Sequence, residues 1–557
     1  MSRRSSALFL TFALVGAACG GGGGDDGGTT EPTSTTTVPT TTAAPTTTQA
    51  TTTTTTEPPL PEITVRITGE EEIVFDYSES PCGTAARPDL PARAFRTGGM
   101  VSLVLPHEID HRMTGADFDS LVISCDPIMT AAFDHDPAAH AHHEWIGATY
   151  VVDGVVHAVI HNEYHGYEAE LADTRRDILN PLAGSGWQYL ARRVGGTAEM
   201  TPAASGFTGG GLCTIDFWGA HPDPGCDAVS RWTSDRDGEL VVDLDATKVG
   251  VGGDGVIVDL RVDGAVVWEE TLVDGADTVS DRMTVTVSTG STIDFGVNAI
   301  GDSSFDATEM RMVVTPDGER CTLDIWSCQL VELTAARSDD GGATFQRTNS
   351  PNDLIATPPG RYEHDAGFAA RWQPSNIVAH PDGSYVMIVQ LDEARDTNAQ
   401  HSCLFRTTDL GDPGAWRGWD GESFSIAPID AYRSDEVAPT CARVGPAPIS
   451  GLVWSPELEL FVASGGFAQF GTNGHHLLFS RDLFTWSDPV LVKPAEFVFT
   501  SDTPPFEPYG TLIDHASTSP SFDTIGSTPY YYFTRINDPS TLDFDLVRMP
   551  LEISITD

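Results

Sequence analysis

The chain has 557 residues, with 80 Asp and Glu against 31 Lys and Arg, for a formal net charge of −49. Such an excess repels nucleic-acid phosphates and anionic lipid headgroups, so neither is an expected partner. The length exceeds an ordinary domain of roughly 100 to 200 residues, and more than one folded unit is expected.

Arg3 and Arg4 precede an apolar stretch at residues 7–18, too short for a membrane-spanning helix of roughly 20 residues, and this reads as a secretory signal. The stretch closes on Leu14, Val15, Gly16, Ala17, Ala18 and Cys19, which resembles a bacterial lipobox. That resemblance implies a signal at residues 1–19, lipidation of Cys19, and a cell-surface position with the lipid as the sole membrane contact. Gly16 stands where the family usually has leucine, so cleavage after Ala18 and release as an extracellular protein is the alternative. Residues 20–62 are almost entirely Gly, Thr, Pro, Ala and Glu. They lack the apolar content to offset the entropy of ordering, and form an expected linker of about 35 Å as a coil and roughly 120 Å as polyproline II.

Setting Cys19 aside leaves eight of the nine cysteines, an even number suited to an oxidising compartment. Sequential pairing is expected, as Cys82 with Cys125, Cys213 with Cys226, Cys321 with Cys328 and Cys403 with Cys441. A metal site is the rival reading, but the chain has no CxxC to support one.

From residue 90 onward, short alternating or apolar runs are separated by Asp, Gly and Pro turns, without a sustained helical period. The expectation is an all-β chain. Ser338, Asp339, Asp340, Gly341, Gly342, Ala343, Thr344 and Phe345 resemble the Asp box of β-propellers, and Thr407 to Trp416 and Ser480 to Trp486 resemble degenerate versions. Their spacing, with units near 90–128, from 144, near 372–417, 449–487 and 509–550, resembles five-bladed glycosidases. The second unit breaks after Tyr164 and resumes near 331, and the intervening residues resemble β-sandwich modules of polysaccharide-active proteins. The expected fold is therefore a five-bladed β-propeller split as 63–200 and 321–557, with a sandwich at 201–320 inserted in blade two. Trp218, Trp232 and Trp268 are either sugar platforms of that module or ordinary core.

The resemblance implies a funnel whose mouth is lined by residues just before first strands and just after second strands. Asp89, Glu144 and Glu163 are the expected catalytic carboxylates, with Asp89 as base or nucleophile and Glu144 or Glu163 as acid, because glycoside hydrolysis needs such a pair. Arg93, His161, Asn162, Tyr164, Asn376 and Glu363 are the expected substrate-binding set. The reaction implied is hydrolysis of an extracellular glycan. The alternatives are a non-catalytic glycan- or envelope-binding lipoprotein, or a sialidase with Arg93, Arg371 and Arg535 as its arginines. His135, His140, His142 and His143 are dense and could ligate zinc or copper if their loop folds back, but they lack the ligand spacing of a helical or strand pair, so a solvated loop is expected there. Gly252 to Gly255 lacks the lysine of a phosphate loop. No cofactor is implied; the many Asp residues admit structural calcium, although no EF-hand spacing occurs.

Overall fold

The computed structural model describes residues 60–556 apart from 84–85, 108, 132–138, 166–170, 175–177, 179–185, 204–205, 217–218, 274, 317–328, 349–351, 363–368, 394–400, 435, 447, 468–469, 498–502 and 540–542. The chain is all-β, as the alternating runs implied. No helix among the described residues is long and apolar enough to cross a membrane.

Antiparallel meanders follow one another along the chain. The first is Arg93–Thr97, Met100–Leu105, Ile109–Gly115 and Val122–Thr130, paired in that order. The second pairs His143–Val152 with Val155–His165 and then with Gln329–Ser338. The third runs through Ala369–Pro374, Tyr385–Glu393, His401–Thr407 and Arg417–Trp419, and joins the second through a short parallel contact of Leu330 with Ala369. Gly451–Ser455, Leu460–Phe467, Gly474–Ser480 and Val490–Pro494 form another. In the last, Thr511–Ile513, Tyr530–Asp538 and Asp543–Ile555 are completed by N-terminal strands Ile63–Ile67 and Glu72–Phe75. This closure covers an edge that would otherwise be open to intermolecular pairing.

Apolar clusters fill the interfaces in sequence. Phe95, Val104 and Ile128 pack on Ile146, Ile160 and Phe345, and Val159 and Leu333 pack on Met387, Phe405 and Trp416. Ile388 and Leu404 meet Leu452 and Phe461; Val462 and Phe479 meet Tyr531 and Val547. Leu103 and Met113 then meet Ile513, Tyr532 and Leu546, which brings the last meander against the first and completes a propeller.

Arg93 sits at the hub. Its Nε donates to the Gly147 carbonyl at 2.7 Å, Nη1 to Asn376 Oδ1 at 3.1 Å and Thr511 Oγ1 at 3.2 Å, and Nη2 to the carbonyls of Pro374 at 2.8 Å and Ser450 at 2.9 Å. One guanidinium thus ties the inner strand of its own meander to those of the others. The approach is close: a Cβ on Gly147 would lie 2.7 Å from Pro374. Arg93 and Asn376, expected to bind substrate, are instead buried hub residues with their polar atoms turned inward.

Asp340 holds its turn as the motif implied. Its Oδ1 accepts from the Ala343 and Thr344 amides at 2.9 and 3.0 Å, and its Oδ2 from Thr344 Oγ1 at 2.7 Å. Asp482 ties down a shorter turn, accepting from the Phe484 and Thr485 amides. Disulfides join Cys82 with Cys125, Cys213 with Cys226 and Cys403 with Cys441; Cys321 and Cys328 lie outside the described residues, as does Cys19.

Two further sheets lie between Val155–His165 and Gln329–Ser338 in sequence. One has six strands and includes Trp187–Arg193, Asp227–Thr233, Thr292–Ala299 and Val256–Val262; the other includes Gly238–Lys248, Thr278–Val287 and Thr308–Thr315. Trp187–Arg193 and Gly196–Glu199 precede the expected boundary at 201 yet belong to the first of these sheets. The two sheets share a core of Val242, Leu244, Val258, Leu260, Phe295, Val297 and Met312. Trp232 is 3% exposed and Trp268 packs against the same core, which makes both structural; Trp218 lies outside the described residues.

Candidate functional site

Strand alternation decides which polar residues meet. On the second meander His143 is the register partner of Glu163, Trp145 of His161, and Gln329 of His165, so these side chains share one face. Glu144, Asn162 and Glu332 are likewise register partners and share the other.

On the first face Glu163 is saturated with donors. Nitrogens of His161, His165 and Gln329 lie at 2.7, 3.1 and 2.8 Å from its oxygens. Burial pushes the carboxyl up, but the hydrogen bonds and charge of His161 and His165 outweigh it and hold Glu163 well below the usual carboxylate range. Trp145 stands edge-on to His161 at 5.3 Å between ring centroids, and His143 lies 4.9 Å from His165.

Asp89 arrives from the segment before the first inner strand and is half-buried. Tyr509, from the corresponding segment of the last meander, donates its hydroxyl to Asp89 Oδ1 at 3.5 Å. Thr534 explains the meeting, since its hydroxyl bonds the Pro88 carbonyl at 3.0 Å while its amide bonds the Pro508 carbonyl at 3.1 Å. Leu90, Trp145 and Tyr509 pack together as an apolar wall. Burial pushes the Tyr509 phenol well above its usual value, and the charges of Asp89 and then Glu163 push it further. Tyr509 therefore sits within electrostatic reach of both carboxylates and stays neutral.

Glu144 does not join them. It is buried on the opposite face, with Oε1 3.6 Å from Nε of Arg347, an arginine that also binds Asp353 at 2.7 Å. It adds to the effect of burial in raising the Asp110 carboxyl well above its usual range, against hydrogen bonds from the Ile146 and His107 amides. Asn162 and Tyr164 are also corrected to this face. Asn162 bonds the His140 carbonyl at 2.9 Å and Glu332 Oε1 at 3.3 Å, while Tyr164 packs against His142, Tyr362 and Tyr432. Glu363 lies outside the described residues.

The histidine run disperses. His140 bonds Glu332, His142 faces Tyr164 and His143 faces His165, while His135 lies outside the described residues. His140 is buried rather than solvated, contrary to expectation, because Glu332 and Asp430 receive its ring nitrogens. Among the described residues, a group with metal-ligand proximity is His401, Cys403 and Cys441, but the two sulfurs are joined to each other. The arginines nominated for a sialidase do not converge: Arg93 is the hub, Arg535 pairs with Glu507 and Glu71, and the side chain of Arg371 lies outside the description. A cavity of about 400 Å³ lined by Arg443, Phe470, Trp486 and Pro489 has no carboxylate in its wall.

Tyr509, Gln329 and Asp110 were not anticipated. Tyr509 had a legible signal, since it precedes a first strand as Asp89 does. Gln329 had none, because its neighbour His165 is 164 positions away in sequence.

The geometry defines an all-β propeller in which Tyr509 lies within reach of two carboxylates, Asp89 and Glu163, the second ringed by His161, His165 and Gln329. No family model matches the chain, and no curated protein matches it. Among solved structures it is similar to a protein described as a glycoside hydrolase, at 7% identity over 86% of this chain and 92% of that one, with a TM-score of 0.32. It is also similar to an α-L-arabinanase of Penicillium chrysogenum, at 9% identity over 88% and 98% with a TM-score of 0.30. A family 117 glycoside hydrolase of Zobellia galactanivorans matches at 12% identity over 42% and 73%, with a TM-score of 0.23. Likenesses this remote carry no argument about the reaction.

Proposed function

We propose that this chain is an exported carbohydrate-active protein, a ring of five blades acting as a glycoside hydrolase on an extracellular glycan through Asp89 and Glu163. The observation that carries the reading is that Tyr509 lies within reach of two carboxylates: Glu163, held ionised by His161 and His165, and Asp89, half-buried and accepting the Tyr509 hydroxyl. Glycosidases divide the work between an ionised base or nucleophile and a protonated acid. Glu163 then takes the first role and Asp89 the second, the reverse of the order implied by the family resemblance. Lipidation at Cys19, or secretion after Ala18, with residues 20–62 as spacer, would present this mouth to outside polymers. The two-sheet unit leaves the propeller after His165 and returns at its register partner Gln329, beside Glu163, so it is suited to holding a polymer near the mouth.

The test is turnover of a glycan panel by the purified protein beside Asp89→Asn and Glu163→Gln. The expected result is cleavage by the wild type that falls by about 10² to 10⁴-fold in each variant. The second reading, a glycan-binding protein without hydrolysis, is favoured by the three donors that already occupy Glu163. Binding without cleavage, equal in all three proteins, would establish that reading and reject the enzyme.

A further inference from the structure

At one end of the two-sheet unit, Asp306 is fully buried and neither of its carboxylate oxygens receives a hydrogen bond. A bare buried carboxylate is costly, because nothing replaces the water it gave up. Its surroundings are also negative. Asp254 and Asp302 act on it with like charge, opposed by Lys248 and His221. Lys248 spends two donors elsewhere, on the carbonyls of Gly250 and Gly252, both at 2.7 Å. His221 Nδ1 lies 2.8 Å from the Pro222 carbonyl.

The loops at residues 249–254 and 300–306 are laced together around this group. Asp254 Oδ2 accepts from the Asp302 amide at 3.2 Å, and Asp302 Oδ1 from the Ser304 amide at 2.7 Å. Gly253 has a φ of +80°, and a Cβ there would lie 2.3 Å from the Ser304 carbonyl oxygen and 3.5 Å from Asp306 Oδ1. A carbonyl and a bare carboxylate oxygen therefore border the same small space, which glycine keeps open.

We propose that these two loops bind a calcium ion, anchored on the Asp306 carboxylate and the Ser304 carbonyl, with Asp254 and Asp302 supplying the outer charge. Three carboxylates against one ammonium leave two negative charges, which a divalent cation neutralises. Oxygen donors on loops suit calcium, whereas zinc would favour sulfur or imidazole and magnesium a tighter octahedron. The ion would fix loops in which Val251, Ile300 and Phe305 are 75, 46 and 60% exposed.

The experiment uses the full chain stripped with EDTA and titrated with calcium chloride by calorimetry, with thermal unfolding followed in parallel. The expected result is an ion bound in the range of about 10⁻⁴ to 10⁻³ M typical of extracellular modules. Two millimolar calcium, roughly at saturation for such a site, should raise the unfolding temperature of the wild type. In Asp306→Asn the affinity should fall at least about tenfold and the thermal shift should vanish, as loss of the anchoring ligand requires. A wild type that neither binds calcium nor shifts overturns the proposal, as does Asp306→Asn binding with wild-type affinity and stoichiometry. Should that variant fail to fold, Asp254→Asn, at an exposed position, replaces it. Weakened binding then supports the site, and unchanged binding overturns it.

Discussion

His140 shows how a single side chain can be read correctly for type and wrongly for place. Its ring is fully buried at a φ of +51°, bonded to Glu332 through Nδ1 and 3.4 Å from Asp430 Oδ2 through Nε2. Burial pulls its pKa down, but the two carboxylates outweigh that and raise it to about 9. The folded value lies above the unfolded value of about 6.5, so the stabilisation is complete below about pH 6.5 and is lost as pH rises through 9. The stability gap between wild type and His140→Gln should therefore shrink by on the order of 2 kcal/mol from pH 6 to pH 9.5, as read by urea unfolding. A gap constant over that range would show that His140 is not charged in the fold. Arg93 shows the opposite case. Burial lowers its pKa to about 9, yet it has five acceptors from other inner strands, so its role is assembly rather than substrate contact.

At the scale of the element, the turn around Asp340 carries a local instruction that survives folding unchanged. Ser338, Asp340, Gly342 and Thr344 bond one another within seven residues, so the turn needs no distant partner. Burial raises the Asp340 carboxyl, but bonds from Ser338, Thr344 and the Ala343 amide together outweigh it and hold it at about 2. Gly342 is required at its φ of +88°, where a Cβ would also lie 2.2 Å from the Phe95 ring. Asp340→Ala removes the acceptor of two amides and should lower stability by about 1–2 kcal/mol in chemical denaturation, with no effect on the glycan binding proposed for the opposite rim. A loss of binding with stability intact would contradict a structural role. Asp482 closes a turn one residue shorter, accepting from the Phe484 and Thr485 amides with Leu483 at a φ of +68°.

For the whole molecule, closure is the property to test. Ile63–Ile67 and Glu72–Phe75 pair with Asp543–Ile555, and Glu71 between them bonds Lys493 at 2.6 Å and also pairs with Arg535. Removing residues 60–76 should uncover the long terminal strand, lower the unfolding midpoint of the propeller and promote association, seen by light scattering. A truncated protein that stays monodisperse with an unchanged midpoint would show that the ring closes without these strands.

The sequence by itself determined what depends on near neighbours. It specified an all-β chain through alternation and turns and the Asp340 turn through contacts within seven residues; sequential cysteine pairing was an expectation, which the three described disulfides meet. It also nominated Asp89 and Glu163 through their position beside inner strands. Only the tertiary structure decided which nominees share a face. Glu144 and Glu163 both end strands at the mouth, but register places Glu163 with His161 and Glu144 with Arg347. Tyr509 reaches Asp89 because Thr534 binds both Pro88 and Pro508, a contact between segments 420 residues apart in sequence. Period-two alternation fixes the face of each residue relative to its own strand, while the partner across the mouth is set by ring closure, which no local pattern encodes.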